Sequence, residues 1–171
     1  MPPVTVKRTY LELTRPADLQ PAATPVPEPR IERLDDCPPS FFRYLYMEVG
    51  RQYHWTDRLS WTDEQARGHL LDPTVSVWLL SSPASPAGYF ELKRHADDSV
   101  EIAYFGLLPE FTGRGWGKYL LTRAARAAWD SGAGRVWLHT CTLDHPGALP
   151  NYLGRGFRPF REETYMADVP A

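Results

Sequence analysis

The stretch from Val100 to Thr142 constrains this chain more than any other. It opens with an apolar run, VEIAYFGLL (100–108), and passes through the glycine-rich PEFTGRGWGK (109–118). It continues as GKYLLTRAARAAWDSG and ends in RVWLHTCT (135–142). A short apolar run bounded by turn residues reads as a buried strand. Apolar residues at 120/121, 124/125 and 128/129 form a helical stripe, and Gly132 and Gly134 supply its stop. A strand, a helix and a second strand in that order predict a parallel pair joined by a right-handed crossover.

The remaining segments build around that unit. VTVKRTYLEL (4–13) alternates as a strand does. Prolines at 16, 21, 25, 27 and 29 then fix φ and remove donors, which predicts a surface loop over about 15–30 without regular structure. SFFRYLYMEV (40–49) is an amphipathic helix, RQYHWTDRLSW (51–61) an aromatic-rich loop, and TDEQARGHLL a second helix. Thr62 and Gln65 stand as a capping box for that second helix. TVSVWLLS (74–81) and AGYFELKRH (87–95) flank a turn and read as an antiparallel pair. After residue 142, PGALPNYLGRG is a short helix and FRPFREETYMADV one or two strands, with a closing hairpin expected after Phe157. The fold class is α/β (α+β), in a single domain over 1–171.

Bulk properties narrow the function. A net charge of −2 and a pI near 6.2 give no basic footprint for nucleic acid. No apolar run reaches the length needed to cross a bilayer, and the N-terminal residues lack a signal-peptide core. Cys37 and Cys141 make neither a disulfide framework nor a metal site. The expectation is a reduced, cytoplasmic protein without metal, nucleic-acid or membrane partners.

Four structures compete for TGRGWGK. A dinucleotide fingerprint fails, because Lys118 or Leu120 stands where the third glycine belongs. A Walker-type loop fails, because Tyr119 follows Gly117-Lys118 and Thr112 replaces the first glycine. A bare strand-to-helix turn and an anion site at a helix start remain, the latter suited to a diphosphate.

With its neighbours, LLPEFTGRGWGKYLL resembles the acetyl-CoA-binding motif of the GNAT superfamily of N-acyltransferases. Thr112, Gly115 and Gly117 occupy its three defining positions, with Thr112 replacing the usual Arg or Gln. ALPNYLGRGF (148–157) resembles the late motif of the same family through Tyr152, Gly156 and Phe157. The resemblance is firm over about 75–157 and topological before that. It implies a mixed, mostly antiparallel central sheet flanked by helices, with a parallel strand pair splayed at the acetyl-CoA site. It further implies acetyl-CoA as co-substrate, held by Leu107, Leu108, Thr112, Gly113, Arg114, Gly115, Trp116, Gly117 and Lys118. Lys118 either adds charge near a phosphate or is a solvated first-turn residue. By the same resemblance a strand bulge at 106–108 frees a backbone N–H, at Leu107, for the thioester carbonyl.

Acyl transfer from a thioester needs a neutral amine, donors for the oxyanion and a proton for the leaving thiolate. Tyr152 matches the family's acid. Glu101 stands at the base's offset, because an acid in a buried strand is costly unless paired or employed; the alternative is an exposed strand end beside Asp97 and Asp98. His139 ranks second as base, His145 reads as a turn or cap residue, and Cys141 lacks an adjacent base. The acceptor, a small-molecule or peptide amine, is expected between the early helices and the central strands. Phe42, Tyr46, Trp55 and Glu91 are its candidate contacts, and the aromatics of 51–61 suggest an aromatic amine or an ammonium held by cation–π contact. A non-catalytic acyl-CoA-binding module and a longer acyl chain are the rivals. Oligomeric state, including a homodimer, is left open.

Overall fold

Alternation makes Val4–Leu13 a strand, β1, and places Leu11 and Leu13 in the core. It joins a sheet that also contains β2 (Arg30–Arg33), β3 (Val75–Ser81), β4 (Pro86–Arg94), β5 (Ser99–Leu107), β6 (Arg135–Cys141) and β7 (Arg158–Ala167). These come from a computed structural model that describes residues 2–169. The strand order is β2-β3-β4-β5-β6-β1-β7, antiparallel throughout except for the β5–β6 pair. This is the mixed, mostly antiparallel sheet that the sequence implied.

Among the described residues, four α-helices cover it. Helix α1 (Pro39–Gly50) starts on two prolines, where a missing N–H is no loss. Helix α2 (Asp63–Leu71) carries the capping box: Gln65 N–H donates to Thr62 Oγ1 at 3.2 Å, and Thr62 N–H to Gln65 Oε1 at 2.9 Å. Helix α3 (Trp116–Asp130) buries Leu120, Leu121, Ala124, Ala125 and Ala128, the predicted stripe. Helix α4 (Ala148–Gly154) precedes β7. The core is accordingly divided. Leu11, Phe90, Leu92, Ile102 and Leu138 pack with α3 on one side of the sheet. Val75, Val77, Leu79 and Tyr89 pack with α1 and α2 on the other. Among the described residues, no helix is long and apolar enough to cross a membrane, and no three His, Cys, Asp or Glu side chains converge as a metal site.

Two expectations need correction. The proline-rich stretch is not wholly irregular: Pro16–Asp18 forms one turn of 3-10 helix, and Arg30 begins β2, paired antiparallel with β3. Four residues of RIER are too few to show a period, and the outer edge of β3 is what orders them. The C-terminal segment is one strand rather than a hairpin, running antiparallel to β1 from Val4↔Ala167 to Glu12↔Arg158. Its partner lies at the other end of the chain, out of reach of local pattern.

The proline-rich segment is strapped to the helices. Gln20 N–H donates to Arg155 O at 2.9 Å, Ala22 N–H to Thr122 Oγ1 at 2.9 Å, and Tyr119 OH to Glu28 Oε1 at 2.6 Å. Gly156 makes this possible. Its φ is +95°, and a Cβ there would sit 2.0 Å from Asp18 O. Gly156→Ala should therefore destabilise the fold by about 2–4 kcal/mol in denaturant unfolding, combining backbone strain with overlap. Gly68→Ala on α2, where a Cβ meets nothing within 4 Å, should stabilise by about 0.5–1 kcal/mol in the same assay.

Candidate active site

Strands β5 and β6 pair only from Ser99↔Arg135 to Glu101↔Trp137 and then part. On its other side β5 stays with β4 up to Leu107, with a register shift that sets Tyr104 opposite Glu91 and Ile102 opposite Leu92. Ala103 is the extra residue, so the bulge lies nearer the start of β5 than the 106–108 expected from the sequence. Leu108 N–H donates to Ala87 O at 2.8 Å. Antiparallel alternation then turns the amides of Phe105 and Leu107 away from β4, into the gap. A cleft of about 940 Å³ fills this opening.

One end of the cleft is the glycine loop. A 3-10 turn at Pro109–Phe111 is closed by Thr112, whose Oγ1 donates to Pro109 O at 2.8 Å. Thr112, where the resemblance leads one to expect Arg or Gln, thus holds the turn with its hydroxyl proton. Gly113 and Gly115 have φ of +78° and +80°, and a Cβ at either would meet nothing within 4 Å. They are required for backbone direction, and the space beside them is open. Gly115 is the N-cap of α3 without a side-chain cap, so the first-turn amides and the helix dipole are available to an anion. Thr112, Gly113, Gly115, Gly117, Lys118 and Leu107 line the cleft. Leu108, Arg114 and Trp116 do not: Leu108 is buried with the α1/α2 core, Trp116 stacks on Phe111 at 5.4 Å, and Arg114 lies over the Phe111 ring at 5.2 Å.

Helix α4 forms the facing wall. Tyr152 is buried against Phe105 and Phe157, lines the cleft, and receives no hydrogen bond at its hydroxyl from the described residues. Burial, with the nearby Asp144 charge, pushes its phenol well above the usual tyrosine range, so it is protonated at neutral pH. Asn151 donates through Nδ2 to Gly117 O at 3.2 Å, tying α4 to the glycine loop, while its Oδ1 is buried without a partner. An orphaned acceptor there, open αL glycines and unpaired helix amides all suit a polar, phosphate-bearing chain such as coenzyme A. Nothing in the motif spacing singled out Asn151 or Phe105.

Glu101 and His139 both line the cleft. Glu101 is not an exposed strand end: its side chain is 15% accessible and its Oε1 lies 2.9 Å from His95 Nε2. The His139 imidazole makes no hydrogen bond among the described residues; its ring sits 5.5 Å from that of Tyr10. Desolvation, then the Arg8 charge, lowers its pKa below 6.5, leaving it neutral at pH 7. Cys141 is driven the other way by burial and Asp144, which keeps the thiol protonated and a poor nucleophile. His145 closes a turn, its Nδ1 accepting Gly147 N–H at 2.8 Å.

The aromatic loop 51–61 holds a cation, and the cation belongs to the protein. Arg58 lies 4.1 Å from the Tyr104 ring centre and 4.8 Å from that of Trp61, with Phe42 and Tyr46 at 5.6 and 6.0 Å. It forms a two-point ion pair with Glu91, Nη1–Oε1 2.7 Å and Nη2–Oε2 2.9 Å, and His69 Nε2 lies 3.1 Å from Oε1. This bears on two of the expected acceptor contacts. Glu91 lines the cleft but is 1% accessible and already bonded to Arg58 and His69, and Phe42 is buried beneath the cage and does not line the cleft. Tyr46 and Trp55 do line it, with Tyr53 and Asp57.

Comparison with known proteins agrees with this geometry. The sequence profile described as acetyltransferase (GNAT) family matches residues 31–157. Curated protein sequences give no match. Among solved structures, a GCN5-related N-acetyltransferase from Kribbella flavida is similar at 20% identity and TM-score 0.69, over 99% of this chain and 61% of its own. One from Sphaerobacter thermophilus is similar at 18% identity and TM-score 0.65, over 97% and 52%. An aminoglycoside acetyltransferase from an uncultured soil metagenomic sample, in complex with trehalose, is similar at 18% and 0.61, over 74% and 86%. This chain thus spans between half and two thirds of the first two proteins' length, and at these identities the likeness is one of fold.

The Arg58–Glu91 pair sets a measurable expectation. Burial opposes ionisation of Glu91, but the hydrogen bonds and charge of Arg58, with His69, outweigh it and hold the carboxyl below its ordinary 4.5. Glu91→Gln, which leaves Arg58 buried and uncompensated, should cost about 3–5 kcal/mol at pH 7 by denaturant unfolding. A depressed carboxylate pKa stabilises above the unfolded value and ceases to do so as pH falls through the folded one. The gap between wild type and variant should therefore be full above about pH 4.5 and shrink below it.

Proposed function

The chain belongs to the acetyltransferase (GNAT) family, and from that premise we propose that it transfers an acetyl group from acetyl-CoA to a primary amine by direct attack in a ternary complex. The observation that carries this is the convergence on one cleft of the splayed β5 amides, the uncapped start of α3 and the Tyr152 phenol. Acetyl-CoA supplies the activated acyl carbon. Backbone amides from Gly113 to Lys118 and the orphaned Asn151 Oδ1 hold its polar chain, and the Leu107 amide receives the carbonyl oxygen as charge develops there. Donors of that kind contribute on the order of 10²–10³ in rate.

Glu101 takes the proton from the acceptor nitrogen, directly or through water. Tyr152 donates a hydrogen bond to the departing sulfur. A phenol this hard to ionise serves as a hydrogen-bond donor more than as a source of free protons. The count closes because Glu101 passes the nitrogen's proton on to water, and the thiolate held by Tyr152 takes one from water as it leaves. A second assignment of the base, His139, has its own support, since that imidazole is neutral, in the cleft and free of protein hydrogen bonds. The acceptor is a small-molecule or peptide amine, entering beneath the 51–61 loop past Tyr46, Tyr53 and Trp55. Because Arg58 fills the aromatic cage, an ammonium group has no vacancy there, and Asp57 is the nearer charge for it.

Release of CoA from acetyl-CoA across a panel of amines tests the proposal. Amine-dependent thiol appearance is expected; thermal stabilisation by acetyl-CoA with no thiol from any amine would instead mark a non-catalytic binding module. Tyr152→Phe should lower kcat by about 10²-fold or more with acetyl-CoA affinity kept within about threefold. Glu101→Gln should lose about 10²–10⁴-fold in kcat while His139→Asn stays within about tenfold. The reverse order would make His139 the base, with an acidic limb in kcat/KM centred below 6.5.

A further inference from the structure

Glu101 is held from behind. Its Oε1 lies 2.9 Å from His95 Nε2, while its Oε2 makes no hydrogen bond among the described residues. An ionised carboxylate only accepts, so the proton of this bond sits on Nε2 whichever charge state the imidazole has. His95 follows β4 at the turn into β5, where its N–H donates to Ser99 O at 2.9 Å and its C=O accepts from Asp98 N–H at 3.1 Å. The imidazole lies against Trp137, ring centres 5.3 Å apart. Trp137 is anchored in turn, Nε1 donating to Ser99 Oγ at 3.1 Å, and Ser99 Oγ donating to Asp97 Oδ1 at 2.6 Å. Trp137 is also the residue beside Glu101 in the last β5–β6 pair before the strands part. The imidazole is therefore fixed in place and direction, and it grips one oxygen of a side chain that would otherwise sample several rotamers.

We propose that His95 is a positioning residue for acyl transfer: its Nε2–H clamps Oε1 of Glu101, so that Oε2 is presented to the acceptor nitrogen or to the water that relays its proton. This rests on the assignment of Glu101 as base in the preceding section. A misplacement of about 1 Å at such a group costs up to about 10²-fold in rate, which sets the scale of the effect.

Two variants separate the clamp from mere packing. His95→Phe keeps a ring against Trp137 and removes the N–H; His95→Gln restores an amide N–H near the position of Nε2. The first should lower kcat by about 10–100-fold with the KM for acetyl-CoA within about twofold and the melting temperature unchanged. The second should return kcat to within about threefold of wild type. The double variant His95→Phe with Glu101→Gln should be no slower than Glu101→Gln alone, because both remove one function. Wild-type kcat in His95→Phe, or equal loss in the Phe and Gln variants at equal melting temperature, overturns the proposal. If His95→Phe melts early, His95→Gln against His95→Ala carries the same comparison. A fully active Glu101→Gln would instead overturn the base assignment, and the clamp with it; an inactive Glu101→Gln beside a fully active His95→Phe sinks the clamp alone.

Discussion

Parallel pairing between β5 and β6 lasts three residue pairs, and the cleft follows from its ending. A strand that leaves its neighbour exposes a row of amides and carbonyls that need other partners. On the β4 side, β5 remains paired, so only the amides facing β6 are released, those of Phe105 and Leu107. The crossover that joins the two strands delivers α3 to the mouth of the same gap, with an N-terminus capped by no side chain. Two sets of unpaired donors thus face one space. The bulge at Ala103 and the αL glycines at 113 and 115 set the directions of these segments.

The opposite side of the sheet solves a different problem. Loop 51–61 has no helix or strand of its own, yet residues 53–58 of it form a wall of the cleft. It is held by Arg58, which enters a cage of four aromatic rings and meets Glu91 from β4 at the bottom. Guanidinium suits this role, since it is weakly hydrated, stacks on ring faces and pairs with a carboxylate at two points. Desolvating both charges is costly, so the pair adds less net stability than its geometry suggests. What it provides is a single position for the loop, and with it for Trp55 and Asp57.

Much of this was legible in the sequence where the signal was local. The run at 100–108 formed a strand, though only part-buried beyond Ile102 where it faces the cleft, and the capping box at Thr62 and Gln65 and the stripe of α3, which depend on neighbours within a few turns of one helix, formed as read. Strand β2 and the single C-terminal strand were not, because both are defined by partners 45 or more positions away. The site divides in the same manner. Glycines 113, 115 and 117 announced themselves by spacing, while Arg58 and Asn151 make their contacts 33 and 34 positions away, and His95 meets Glu101 across the β4–β5 turn, none of which a motif spacing encodes. Of the aromatics in 51–61 only Trp61 lies over Arg58, the other rings being Phe42, Tyr46 and Tyr104, so the loop's composition could not reveal a cage closed by an internal arginine.

Strand β1 has a consequence for how the chain is made. Among the described residues its sheet partners are β6 and β7, so each of its ladders joins residues more than 120 positions apart. During synthesis β1 leaves the ribosome before the other strands of this sheet and has no edge to join until β6 and β7 have followed. Local hairpins β3–β4 and β4–β5 can close long before that, and the loop-closure cost of β1 falls on an already collapsed chain. For that interval an alternating, half-apolar strand waits unpaired, which makes it the segment that most needs shelter from other chains.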